Sequence, residues 1–295
     1  SHYQAVSPTF DAAYINESRK AGSYASIGGQ HSGWYSMPDQ IIDYFGYNDD
    51  MTEVWRYYPT GADGNLPENL TPVVADGIIK IGQRAFENTG ITSVTLPNTV
   101  TTIANYAFMS NSLTNITLSS NLQTIASYAF RYNALTELII PNTVTSIGDY
   151  AFEHNQINNL TLSNSLTSIN NYAFQYNALQ AVTLPNSITN IGAVAFGNNN
   201  LVSLTIPDSV TTMGTYAFYY NNLTSITLGS GVTNIPHGGF QYNNLTEIVL
   251  PNNITYLNRY AFYDNTITKI TIGASVGSHY QAVSPTFDAA YINES

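Results

Sequence analysis

Cysteine is absent from the 295 residues, which excludes disulfides and thiolate metal sites while leaving the compartment open. Charge is scarce too. Only 9% of residues are Asp, Glu, Lys or Arg, against about 25% in ordinary soluble domains, so long-range ionic steering contributes little to partner choice. The net charge of -11 argues against nucleic acid, whose binding rests on Lys and Arg neutralising phosphates. Seven acidic residues, Asp39, Asp43, Asp49, Asp50, Glu53, Asp63 and Glu68, cluster near the start. No apolar run reaches the ~18 residues that would cross a bilayer, and no secretory signal opens the chain. Ser1 rather than Met stands first, so a processed or excised piece of a longer protein is expected. Catalytic signatures are missing as well: no G-x-S-x-G, H-E-x-x-H or phosphate-cradling glycine loop occurs. His2, His31, His154, His237 and His279 are scattered, and no enzyme activity is expected.

What the chain has is a period. From Ile91 one pattern returns every 22 residues without insertion, starting again at Leu113, Leu135, Ile157, Leu179, Leu201, Leu223 and Leu245, with a half unit from Ile267. The unit reads approximately L-x-x-L-x-L-P-x-x-V-T-x-I-G-x-Y-A-F-x-Y-N-x, and an imperfect leading unit spans 69–90. Positions one, four and six alternate as a strand with one buried face does. Pro97, Pro141, Pro185, Pro207 and Pro251 follow and, lacking an N–H, end the ladder. A second apolar row stands at position thirteen. Beside it Gly148, Gly192, Gly214, Asn170 and Asn258 are expected to turn the backbone through positive φ, while Ala104, Ala126 and Pro236 break that rule. Position eighteen is Phe in every unit, after a small residue, and position twenty-one is Asn from Asn111 to Asn265. A column of carboxamides, each both donor and acceptor, suits the backbone groups of successive buried turns. One 22-residue unit buries too little to fold alone, so the units must stack as a quasi-one-dimensional solenoid.

The run LTELIIPNTVTSIGDYAFEHN at 135–155 resembles the leucine-rich repeats of BspA-like bacterial surface proteins, also called the Treponema pallidum type. The resemblance covers 69–277. It implies a leucine-rich-repeat horseshoe: a parallel β-sheet on the concave side, short 3-10, irregular or short-strand segments on the convex side, and a non-repeat N-terminal cap. It further implies an extracellular or cell-surface location and a role in adhesion, with no catalytic residues to transfer.

The ends carry a second repetition. Residues 1–18 read SHYQAVSPTFDAAYINES, and 278–295 read the same. Either the duplication is engineered, or the chain is one 277-residue period, plus an overlap, of a tandem array. Three regions follow: 1–68 as a capping or junction region, 69–277 as the solenoid, and 278–295 as an exit cap or the start of the next domain. Open strand edges at the ends of a stack need capping. Within 19–68, 38–45 suggests a short helix and 52–58 a strand. This region holds Trp34 and Trp55. A capping subdomain is the plainer reading, an aromatic sugar-binding patch or a Ca²⁺ site at Asp43, Asp49 and Asp50 the alternative, although no D-x-D-x-D-G loop is present.

The candidate contact surface is the exposed fifth position of the first strand: Thr95, Thr117, Thr161, Thr183, Thr205, Thr227 and Thr271, interrupted by Ile139 and Val249. A second row pairs Thr99 with Thr101, Thr143 with Thr145, Ser165 with Thr167, Ser187 with Thr189 and Ser209 with Thr211. Such ladders also suit ice, the remote alternative. The expected partners are adjacent copies end to end, and beyond them a host or neighbouring-cell protein or glycan, with no nucleic acid and no membrane span. Tyr columns at positions sixteen and twenty offer stacked rings between neighbouring units, although amphipathic packing with the hydroxyls in water is the preferred expectation, and His154 reads as a variant within the second.

Overall fold

The computed structural model describes residues 23–25, 34–36, 43–47, 52–59 and 71–272. Over 71–272 the chain winds as a solenoid, and every strand register joins residues 22 apart, from Lys80 against Thr102 to Asn234 against Tyr256. Each coil has two faces. The first carries the strand at positions three to five, such as Glu137–Ile139 and Ser203–Thr205. The second carries a two-residue strand ending at position thirteen, as in Thr102–Ile103 and Ser146–Ile147. All pairings between coils are parallel among the described residues.

Stacked apolar columns fill the interior. Ile91, Leu113, Leu135 and their equivalents are buried, as are Val100, Leu122 and Val144 at position ten and Ile103, Ile125 and Ile147 at position thirteen. The nine Phe from Phe86 to Phe262 are fully enclosed and lie face to face, with centroids 4.8 Å apart at one end and 5.6 Å apart at Phe218–Phe240. The Asn column does what its chemistry suggests. Asn199 Oδ1 accepts the N–H of Leu179, the first residue of its own unit, at 3.2 Å. Its Nδ2 donates to the carbonyls of Phe174 and Phe196 at 2.9 and 3.2 Å. Each Asn therefore closes its own turn and ties it to the coil before, satisfying backbone groups that water does not reach.

Turns are built twice per coil. The first closes from position seven to ten, as in Val100 N–H to Pro97 O at 3.2 Å. The second is a pair of overlapping turns, for example Ala129 N–H to Ala126 O and Arg131 N–H to Tyr128 O. Positive φ sits in this second pair and not at the glycine column, which corrects the sequence expectation. The left-handed residues are at position sixteen, where Tyr106, Tyr128, Tyr150, Tyr172, Tyr216 and Tyr260 have φ between 58° and 62°, and at position twenty, where Tyr132, His154 and Tyr176 have φ between 53° and 56°. Left-handed backbone costs a side-chain-bearing residue roughly 1–2 kcal/mol. Gly148 answers a different need, since a Cβ there would stand 2.3 Å from the amide nitrogen of Ser127 in the preceding coil.

Backbone donors run in both directions along the stack. Phe130 and Tyr132 donate forward, to Ala151 and Glu153, while Gly148 and Gln156 donate back, to Ile125 and Leu135. The second-face ladder breaks between Met213 and Ile235, where Pro236 has no N–H for the place that Gly214 uses to reach Ile191 O. It also breaks between Ile147 and Ile169, for which the side chains offer no comparable cause.

The first face is a series of strand pairs instead of one continuous sheet, and its breaks follow the proline column. Glu137–Ile139, Ser203–Thr205 and Glu247–Leu250 lead into Pro141, Pro207 and Pro251, and each pairs with the following coil. In those following coils the proline position holds Ser163, Gly229 and Gly273. No strand is assigned at Thr183, whose coil carries Pro185 and is followed by another proline coil. A proline amide has nothing to donate to the coil before it. The bridge from Val73 to Thr95, just before Pro97, is the exception.

Ahead of the coils, Ser23–Ala25 pairs antiparallel with Trp34–Ser36, and Asp43–Tyr47 with Glu53–Pro59. The last of these strands then pairs parallel with Lys80–Ile81, and Val54 enters the core. The strand expected over 52–58 is present. The helix expected over 38–45 is contradicted by Asp43–Tyr47, whose pairing across the hairpin overrides a local pattern too short to hold a helix. The segments 1–18 and 278–295, and with them the expected exit cap, lie outside the described residues.

Candidate functional site

The fifth-position row is displayed as its period requires. Thr95, Thr117, Thr161, Thr183, Thr205, Thr227 and Thr271 are all exposed, and so are the interrupting Ile139 and Val249. Four direct pairings set members side by side: Thr95 with Thr117, Ile139 with Thr161, Thr205 with Thr227, and Val249 with Thr271. Thr183 lies outside this pairing.

The second Thr row behaves differently. Thr101, Thr189, Thr211 and Thr255 donate their hydroxyls to the carbonyls of Ile79, Thr167, Thr189 and Thr233 in the preceding coil at 3.1–3.3 Å. Thr99 and Thr143 likewise reach Ile78 O and Ser120 O. The hydroxyls of Ser187 and Ser209 are buried without a partner. These rows tie coil to coil, so the two Thr ladders, similar in sequence, separate into a bonded one and a displayed one.

Rings form a third surface. Tyr106, Tyr128, Tyr150 and Tyr172 lie face to face 4.4–4.7 Å apart. His154 stacks between Tyr132 and Tyr176 at 4.7 and 4.4 Å, taking the place of a Tyr as the sequence suggested. Beside it Arg131 pairs with the buried carboxylate of Glu153 and lies 4.4 Å over the Tyr132 ring. Burial raises the Tyr150 hydroxyl pKa above 10.0, helped by Tyr172 and Tyr128, and burial likewise raises that of Tyr219. At the other turn the Ser230 N–H, donated to Asp208, holds that carboxyl below 3.8.

No group of three His, Asp or Glu that could hold a metal ion occurs among the described residues. Asp49 and Asp50 lie outside those residues, and Asp43 is described in its backbone alone. No helix of the described residues is long and apolar enough to cross a membrane. Sequence reasoning missed the change in ring packing beyond Tyr216, where Gly238 replaces a Tyr of the sixteenth position. That single glycine was the signal.

No curated protein matches the chain. A leucine-rich cell surface protein from Faecalibacterium prausnitzii is 21% identical, with 87% of this chain and 99% of that one covered and a TM-score of 0.38. The Treponema pallidum leucine-rich repeat protein is 19% identical, with 88% and 97% covered and a TM-score of 0.30. For the pneumococcal vaccine antigen PcpA the values are 17%, 71%, 73% and 0.40. A model of the BspA type leucine rich repeat region matches residues 69–180 and 167–283, in six copies. With its period, its Phe and Asn columns and that match over most of its length, the chain belongs to the BspA type leucine-rich repeat family.

Proposed function

We propose that the chain is a structural, surface-contacting module, one bead of an extracellular array joined end to end. The observation that carries this reading is the identity of 1–18 with 278–295, which sets a 277-residue period over the 22-residue one. Membership of a family of repeat proteins and a low content of charged residues support contact over chemistry. A stack whose coils are satisfied only by neighbours favours continuation at its ends. The test is a protein of two periods closed by a final 278–295, measured by small-angle scattering and negative-stain microscopy. Ordered joints give a rod of fixed length, twice that of one period. Beads at variable angles would refute the reading.

A second reading is recognition of a host or neighbouring-cell protein or glycan by the displayed row from Thr95 to Thr271. It is favoured by the contrast between this row and the bonded row at position eleven. A saturable partner lost on changing Thr205 and Thr227 together to Lys supports it, and unchanged binding removes it. Ice recognition has less support, because the T-x-T hydroxyls donate to the protein's own carbonyls.

A further inference from the structure

Six rings in the last coils close a circuit. Tyr216 meets His237, His237 meets Tyr260, Tyr260 meets Tyr263, Tyr263 meets Tyr242, Tyr242 meets Tyr219, and Tyr219 returns to Tyr216. Every contact is edge to face, at 5.2–5.9 Å and 78–89°. This is unlike the column from Tyr106 to Tyr172, where interplanar angles are 4–8° and an inner ring has both faces covered.

Two substitutions in the sixteenth position cause the change. Val194 gives Tyr216 no ring to stack on from one side. Gly238, at φ 60°, leaves the other side open, and Tyr216 leans there until its Cε1 is 2.3 Å from where a Cβ of Gly238 would stand. Its hydroxyl then reaches His237 Nε2 at 2.9 Å. The middle coil also lacks a ring at position nineteen, where its neighbours place Tyr219 and Tyr263. It has Gln241, whose Oε1 is 2.9 Å from the same point. Gln241 is partly exposed, and no protein partner is found for its carboxamide among the described residues. At the same position in the stacked region, Gln175 is bonded to Asn198 at 3.3 Å.

We propose that this ring circuit, together with Gln241 of its middle coil, binds a neutral saccharide of gluco configuration. Edge-to-face contact covers one face per contact, and although Tyr220 also packs on Tyr219 at 5.1 Å and on Tyr242 at 4.9 Å, all six residues of the circuit remain partly exposed. A pyranose with equatorial substituents offers flat C–H faces to such rings and hydroxyl or acetamido groups to the carboxamide. A cation is disfavoured, because the Arg259 guanidinium already lies 4.5 Å over Tyr260. The site sits on the turn side, apart from the displayed Thr row. It is complete in a single chain, so it stands or falls separately from end-to-end assembly.

Isothermal titration of the intact chain with chitohexaose and with cellohexaose tests the site. The expected result is saturable binding to at least one, with Kd near or below ~1 mM. Gln241→Ala, a partly exposed position that leaves the coil columns intact, weakens binding about tenfold, as does Tyr219→Ala. Gln175→Ala stays within about twofold. Near-ultraviolet circular dichroism confirms that each variant is folded. The proposal is overturned by an absence of saturable heat with both sugars to ~10 mM. It is equally overturned by an equal loss in Gln175→Ala, or by preference for tetramethylammonium.

Discussion

At the scale of the residue, the Asn column is where stability is most concentrated. Asn199 holds three carbonyls and one N–H, all deep in the turn. Asn199→Ala leaves the Leu179 N–H buried without a partner, while the carbonyls of Phe174, Phe196 and Gly197 keep Asn177, Asn221 and the Tyr176 N–H. It is expected to cost about 2 kcal/mol, read as a lower urea midpoint with unchanged slope. A loss under about 1 kcal/mol would mean that water replaces the carboxamide. This role was legible in the sequence because it needs only one residue type at one spacing. The left-handed tyrosines were not legible. A Tyr at φ near 60° is disfavoured locally and is held there by backbone bonds to the next coil, such as Tyr128 N–H to Asp149 O. A Gly, by contrast, suggests positive φ to any sequence reading, although Gly148 is needed for close approach between coils.

At the scale of the element, the ring columns make a prediction about alkali. Burial and the neighbouring phenols raise the hydroxyl pKa values of Tyr150 and Tyr219 above 10.0 in the folded state. The folded state then binds its protons more tightly than the unfolded one, so this contribution is intact at neutral pH and is lost as pH climbs above 10.0. Urea midpoints are therefore expected to hold steady from pH about 7 to 9.5 and then to fall. Tyr150→Phe together with Tyr219→Phe should flatten the fall, and an unaltered slope in that variant would refute the assignment. Strand pairing on the first face belongs to this scale too. That proline ends each strand was readable from Pro141 and Pro207. That the following coil needs Ser163 or Gly229 in order to pair was not, because it depends on two coils at once.

At the scale of the whole molecule, every column advances by 22 residues, so register and length are separable. Deleting 157–178 removes one coil and keeps Phe over Phe and Asn over Asn. That protein is expected to fold with about 1–3 kcal/mol less stability, measured by urea unfolding. Deleting 157–167 alone moves Phe174 from the eighteenth position to the seventh, where a proline or small residue ends the strand, and loss of the cooperative transition is expected. A cooperative transition in that shorter deletion would contradict the stacked-column account.

The opposed directions of the backbone donors have a consequence for growth. In an α-helix the peptide dipoles add, so lengthening the rod strengthens the field at its tips. Here Phe130 and Tyr132 point one way and Gly148 and Gln156 the other, so each turn largely cancels its own contribution. Such a rod can be extended turn by turn without building up polarity at its extremities, and electrostatics sets no limit on its reach.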